Sequence, residues 1–147
     1  LPPSLGVRLA ILGEGKLRAE LERLAGQLGI ARRVALLGFR ENPYAFMAKA
    51  DLFVLSSERE GNPNVLVEAL AVGTPAVATD CPSGPREILA GGRYGTLVPM
   101  DDEQALAEAI LATLQNPPPA ELLREAVRDF TLERSSAAYL KAFGLTR

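Results

Sequence analysis

Glu60 and Glu68 stand eight positions apart, with a glycine, a proline and two asparagines between them, in the stretch SEREGNPNVLVEALAVGTPAVAT of residues 57–79. Glu60 falls on the Gly/Pro/Asn loop, and Glu68 falls about one turn into the helix that this loop opens. Gly61 lets the backbone turn and approach a ligand closely. Pro63 lacks an N–H and suits the first turn of a helix, and Asn62 or Asn64 is expected to cap the orphan amides there. Exposed N–H groups and the helix dipole favour an anion at such an end. A diphosphate held there would have a carboxylate on either side to accept hydroxyls: Glu68 those of a ribose, Glu60 those of a sugar beyond the phosphates. The pattern therefore points to a nucleotide sugar. An isolated Glu-x7-Glu pair arises readily by chance as two solvated surface glutamates. Set between an apolar strand and a Gly-Thr-Pro-Ala-Val strand start, it is much more specific.

Other loops carry weaker signals. Gly13-Glu14-Gly15 lies between strand and helix as a dinucleotide fingerprint would, but Arg18 stands where the third glycine belongs, and no acidic residue ends a second strand at the expected distance. A tight turn with close backbone approach explains it, and NAD and FAD are rejected. In Gly38-Phe39-Arg40-Glu41-Asn42-Pro43-Tyr44, backbone groups can meet a base edge and an Arg or Tyr face can stack on it. Burial of Phe39 and Tyr44 under the sheet edge is the competing account, and the favoured one for Tyr44. In Asp80-Cys81-Pro82-Ser83-Gly84-Pro85-Arg86-Glu87-Ile88, Ser83 and Gly84 offer amides to phosphate or sugar at a further helix start, and Arg86 offers a positive charge. Cys81 has nothing near it in sequence to activate it and is read as structural or incidental. Asp101-Asp102-Glu103 is read as a helix N-terminus rather than a metal cluster, so no metal site is expected.

These loops need elements to position them. Strands are predicted at Val7–Leu12, Val34–Leu37, Leu52–Ser56, Ala76–Thr79 and Thr96–Val98. Between them, helices are predicted at Lys16–Leu28, Pro43–Ala50, Asn64–Ala71, Pro85–Leu89 and Asp102–Leu114. Gly29 and the Gly73/Pro75 pair are the expected stops for the first and third of these. Pro117-Pro118-Pro119 ends the fifth, and two more helices, Ala120–Arg128 and Leu132–Phe143, close the chain. Strand–helix alternation means an α/β fold, a Rossmann-like three-layer parallel sheet with right-handed crossovers. Ligands in such sheets bind beyond the carboxyl ends of the strands, so the loops after Leu12, Leu37, Ser56 and Thr79 are expected to converge.

Composition excludes several alternatives. The 147 residues suit a single domain with a real core, 48% of them apolar and 23% charged. A net charge of −2 leaves no basic footprint for nucleic acid. No apolar run has the length of a transmembrane segment, no signal peptide is recognised, and the single Cys81 makes a reducing cytoplasm the expected compartment. The chain has no histidine, which removes Ser-His and Cys-His nucleophiles, a histidine base and histidine-containing zinc sites.

The chain resembles the C-terminal half of retaining GT-B glycosyltransferases of the group 1 family. The resemblance rests on ILGEGKLRAELE, ALLGF, AKADLFVLSSEREGNPNVLVEALAVGTPAVATD, and CPSGPREIL followed by GRYGTLVP, which span about residues 7–114. The CPSGPREIL variant is similar to the subgroup that builds bacterial surface polysaccharides and glycolipids. The resemblance implies that Glu60 is the catalytic carboxylate holding the donor sugar and that Glu68 binds the ribose. It implies that backbone amides around Gly61, Asn62, Asn64 and Val65 meet donor sugar and phosphates, and that Gly38, Phe39 and Arg40 frame the base. Members bind the diphosphate without a metal or other cofactor; the donor is a nucleotide sugar, UDP being favoured and GDP the alternative. The reaction implied is glycosyl transfer to an acceptor hydroxyl with retention, the departing phosphate oxygens helping to take the acceptor proton.

Two departures stand out. Asn62 occupies a position that is usually aromatic or aliphatic in the family. Members also carry an Arg and a Lys upstream, and a whole N-terminal acceptor-binding domain. The expectation is therefore that residues 1–147 are one nucleotide-sugar-binding domain that lacks its first strand and its N-terminal partner, with any membrane association residing in that absent half. Such a piece is expected to bind nucleotide weakly and to transfer nothing by itself. A nucleotide-sugar epimerase and a non-catalytic nucleotide-sugar-binding module are the rival readings. The lack of histidine speaks against the first, and Asn62 lends slight support to the second.

Overall fold

The computed structural model describes residues 5–145. The chain divides into two compact units, one up to Pro43 and one from Tyr44 onward.

The first unit is a βαβ segment: β1 (Leu9–Leu12), α1 (Arg18–Gln27), a 3-10 turn (Ala31–Arg33) and β2 (Val34–Gly38). β1 and β2 pair in parallel, Leu9 opposite Val34. α1 stops where Gly29 takes φ +69°. The amide of Ile30 then reaches the carbonyl of Ala25 at 2.9 Å and that of Gly29 the carbonyl of Gly26 at 3.0 Å, the double closure that a left-handed residue after a helix permits. Arg18, found where a third fingerprint glycine would be, is structural: it donates to the carbonyl of Leu36 at 2.9 Å and pairs with Glu14 and Glu22. Ala25 and Gly38 are the buried residues among those described in this unit.

The second unit contains α2 (Tyr44–Met47), β3 (Phe53–Leu55), α3 (Asn64–Ala71), β4 (Ala76–Thr79), α4 (Pro85–Ile88), a 3-10 turn (Ala90–Gly92) and β5 (Thr96–Val98). α5 (Glu103–Gln115), α6 (Ala120–Val127) and α7 (Leu132–Ala142) follow. Its strands run parallel in the order β3-β4-β5. All four residues of the central strand β4 are buried. Their side chains alternate between faces, and each face has its own cover. Ala76 and Ala78 pack with Leu66 and Leu70 of α3, Ile88 and Leu89, and Leu123 and Val127 of α6. Val77 packs with Val98 and with Ala109 of α5. This is the three-layer α/β arrangement expected of a Rossmann-like sheet.

Asp102 caps α5, its carboxylate accepting from the Ala105 amide at 2.8 Å, which agrees with reading Asp101–Glu103 as a helix start. Cys81 is buried and unpaired. Beyond the core, Phe130, Leu132, Tyr139 and Phe143 are exposed, with the rings of Tyr139 and Phe143 stacked at 6.5 Å. Among the described residues, no helix is long and apolar enough to cross a membrane.

Candidate functional site

The Glu60 loop leaves β3 and is held from below by β4. Thr79, buried at the end of β4, donates its hydroxyl toward the carbonyls of Leu55, at 3.3 Å, and Ser57, at 2.5 Å. Ser57 in turn donates its own hydroxyl to Glu60 Oε1 at 2.6 Å. From the next loop, Ser83 donates to the carbonyl of Glu60 at 3.3 Å. Gly84 has φ +88°, and a Cβ built on it would lie 2.4 Å from Pro63 Cδ and 3.1 Å from the Gly61 carbonyl oxygen. The loops after β3 and β4 therefore meet at Glu60–Pro63, and glycine is required at 84 both by its backbone angle and by the approach of Pro63.

Glu68 lies on the second turn of α3, half-buried like Glu60. The hydroxyl of Tyr44, on α2, donates to Glu68 Oε1 at 3.3 Å. Tyr44 is 48% exposed, so its burial under a sheet edge, favoured from sequence, is not observed. Its phenol has a carboxylate partner at the surface and gains nothing from an apolar slot. α2 is itself tied down: buried Thr74, just before β4, donates to the carbonyl of Met47 at 2.7 Å.

The start of α3 differs from the expected capping. Pro63 is the residue before the helix, no side chain caps it, and the Asn62 side-chain amide instead contacts Asn64 Oδ1 at 3.5 Å. The Leu66 amide turns back to the carbonyl of Pro63 at 2.9 Å. Asn62 and Asn64 are exposed, and Val65 is half-buried. Arg86 is also not the free cation expected of a phosphate ligand. It makes a two-pronged pair with Asp80, Nε donating to Oδ1 at 3.0 Å and Nη2 to Oδ2. That hydrogen bond, with the carboxylate charge behind it, raises the guanidinium further above its ordinary pKa. A hollow of about 320 Å³ lies over this pair, lined also by Cys81, Ser83, Gly84, Glu87 and Met100.

Gly38, Phe39 and Arg40 belong to the first unit. Gly38 is buried at φ +72°, and its carbonyl accepts from the Gly13 amide at 2.8 Å, so the loops after β1 and β2 meet through their backbones, as the tight turn at Gly13 implied. Phe39 is 73% exposed, and Arg40 donates to the Phe39 carbonyl at 3.0 Å. Among the described residues, no group of three or more Cys, Asp or Glu is placed to hold a metal ion.

Sequence reasoning did not single out Ser57, Thr79 or the bond from Tyr44 to Glu68. For Ser57 a signal existed, a hydroxyl three positions before a candidate carboxylate on a loop. For Tyr44, 24 positions from Glu68, local pattern carries none.

The comparisons with known proteins agree with this architecture. The chain is 38% identical over 131 residues to the Campylobacter jejuni N-acetylgalactosamine-N,N'-diacetylbacillosaminyl-diphospho-undecaprenol 4-alpha-N-acetylgalactosaminyltransferase, with 89% of this chain and 35% of that protein covered. Anabaena Alr3699/HepE, solved in complex with UDP, superposes with a TM-score of 0.79 at 27% identity, over 96% of this chain and 42% of that one. WaaG, a glycosyltransferase involved in lipopolysaccharide biosynthesis, superposes at 0.78 with 30% identity, over 99% and 40%. The chain thus spans well under half the length of each of these relatives. Their fold is the GT-B glycosyltransferase fold, and the sequence model of the family "Glycosyl transferases group 1" matches residues 2–116. The chain belongs to the group 1 glycosyltransferases.

Proposed function

We propose that this chain forms the nucleotide-sugar-binding part of a hexosyltransferase that moves a sugar from a nucleoside diphosphate to an acceptor hydroxyl with retention of configuration. The observation that carries this is the disposition of Glu60 and Glu68. Both are half-buried, and each accepts one hydroxyl from a neighbouring side chain, on either side of the start of α3. In this reading Glu68 accepts from the ribose, Glu60 accepts from the donor sugar, and the amides around Gly61–Val65 meet the phosphates. Ser83 and Gly84 serve mainly to hold the Glu60 loop, and the pairing of Arg86 with Asp80 makes it a weak phosphate ligand.

The chemistry follows from what leaves. The bond between the anomeric carbon and the diphosphate oxygen breaks, and a bond from the acceptor oxygen forms on the same face. The acceptor proton passes to a phosphate oxygen of the leaving group. Charge grows on the diphosphate, so donors fixed beforehand lower the barrier, and the first-turn amides of α3 are such donors. The relatives are much longer than this chain, so the acceptor site and further cations for the diphosphate are assigned to other parts of a longer protein. The C. jejuni relative's undecaprenol-linked acceptor and WaaG's lipopolysaccharide role support a product in surface polysaccharide or glycolipid synthesis. The UDP bound by HepE supports a UDP-linked donor over a GDP-linked one.

Calorimetric titration with UDP, GDP and ADP, beside the Glu68→Ala variant, tests the reading. Selective binding of one nucleotide that the variant loses is the expected result. Equal affinity in chain and variant would remove Glu68 from the site.

A further inference from the structure

An ionised glutamate only accepts hydrogen bonds, at about four lone-pair positions. A glutamate on a loop or helix surface has several open rotamers, and selecting one costs side-chain entropy at the moment of binding. A single fixed donor on one carboxylate oxygen selects the rotamer beforehand and leaves the remaining positions for ligand hydroxyls. Both glutamates here have such a donor, and the two donors come from different elements.

For Glu60 the donor is Ser57, at 2.6 Å. Ser57 is not itself loose: its carbonyl is gripped by the hydroxyl of Thr79, 8% exposed at the end of the central strand. Two hydrogen bonds, linked covalently through Ser57, thus connect Thr79 at the end of the central strand to the carboxylate. For Glu68 the donor is the phenol of Tyr44 at 3.3 Å, and Tyr44 sits on the helix that Thr74 fastens through the Met47 carbonyl.

We propose that Ser57 and Tyr44 are positioning residues that divide the recognition of a sugar nucleotide between them, Ser57 aiming Glu60 at the glycosyl group and Tyr44 aiming Glu68 at the nucleoside. The proposal rests on the roles given to Glu60 and Glu68 above. It assigns a task to two hydroxyls that would not themselves touch the ligand.

The test is a calorimetric titration of the chain with UDP, UDP-glucose and UDP-N-acetylgalactosamine. UDP alone reads the nucleoside side, and the ratio of sugar-nucleotide to UDP affinity reads the glycosyl side. Tyr44→Phe is expected to weaken all three by a common factor of about three to ten, as loss of one hydrogen bond to a charged group at the surface should. Ser57→Ala is expected to keep UDP affinity within about twofold and to lower the ratio about three- to tenfold, and Ser57→Thr, which keeps the hydroxyl, to restore it. Unfolding midpoints measured alongside separate a binding effect from a folding one.

If Ser57→Ala weakens UDP as much as the sugar nucleotides, or Ser57→Thr fails to rescue, Ser57 is a structural residue and the division is wrong. If Glu60→Gln lowers the ratio and Glu68→Gln weakens UDP while Ser57→Ala and Tyr44→Phe bind like the unaltered chain, the positioning roles fall and the reading of the glutamates stands. If the glutamate variants bind normally, or the unaltered chain takes up none of the three probes at millimolar concentration, that reading falls and the proposal with it.

Discussion

Leu66 and Leu70 of α3 are fully buried, whereas Leu21 and Leu24 of α1 and the flanking Leu17 and Leu28 keep 37, 43, 62 and 62% of their surface in solvent. Both helices connect parallel strands and both show leucines at helical spacing. The difference lies in what each has to pack on. α3 lies with α6 against a sheet whose central strand is paired on both edges, and α5 covers the opposite face. α1 has a two-stranded ladder, too narrow to bury a helix face. Parallel strands are normally covered on both sides, and β1, with Leu9 and Ala10 exposed, is not. The periodic pattern predicts which residues want cover without reporting whether cover is present. The two candidate carboxylates sit on the unit that has the core, where hydrogen bonds from β4 can hold a loop in place.

Leu66→Ala should widen this contrast most. Removing a fully buried leucine leaves a cavity between α3 and β4 and should cost about 2–5 kcal/mol in denaturant unfolding. Leu21→Ala, with a third of its surface already in water, should cost under about 1 kcal/mol. A comparable loss from the two would mean that the α1 face is covered in solution. Hydrogen exchange offers an independent check: amides of β4 should exchange far more slowly than those of β1, because local opening follows buried contact.

Gly84→Ala should come next. At φ +88° an alanine is strained, and its methyl would run into the ring of Pro63, part of the rigid start of α3. Strain and overpacking together should cost about 2–4 kcal/mol. Because the displaced segment carries Glu60 and Gly61, nucleotide affinity should fall with stability. Unfolding free energy and calorimetric affinity measured on the same preparation check both. An unaffected affinity would separate this contact from the site.

Much of the fold was legible because punctuation and pattern coincide. Pro63 and Gly73 bracket α3, Pro75 and Asp80 bracket β4, and both elements appear with the predicted bounds, as does β5. The first strand and first helix came out shorter than predicted, at Leu9–Leu12 and Arg18–Gln27, where no proline or capping side chain marks the start. Spacing and loop composition single out Glu60 and Glu68 as candidates. Their surroundings were less legible. The Asp80–Arg86 pair turns a candidate phosphate ligand into a satisfied cation, and the phenol of Tyr44 reaches a carboxylate on another helix. Both depend on where the chain carries side chains in space, which hydrophobic periodicity does not encode. The 3-10 turns at Ala31–Arg33 and Ala90–Gly92 were missed for want of a distinctive residue signal.

Gly38→Ala should have a smaller effect than Gly84→Ala and gives the sharpest test of the contrast. Gly38, like Gly84, is buried at a positive φ and closes one loop against another. What a Cβ would meet is different: Glu14 Oε1 at 2.5 Å rather than a proline ring. That oxygen is the far end of a flexible side chain whose partner, Arg18, is 39% exposed and also pairs with Glu22. Glu14 can swing out at little loss, since exposed pairs contribute about 0–1 kcal/mol. The remaining cost is the left-handed angle, about 1–2 kcal/mol. Gly38→Ala should thus destabilise less than Gly84→Ala and leave the Gly13–Gly38 backbone bond in place. If the two prove equally costly, the loops of the first unit are held as firmly as those around Glu60, and scarcity of buried side chains there does not mean a soft backbone.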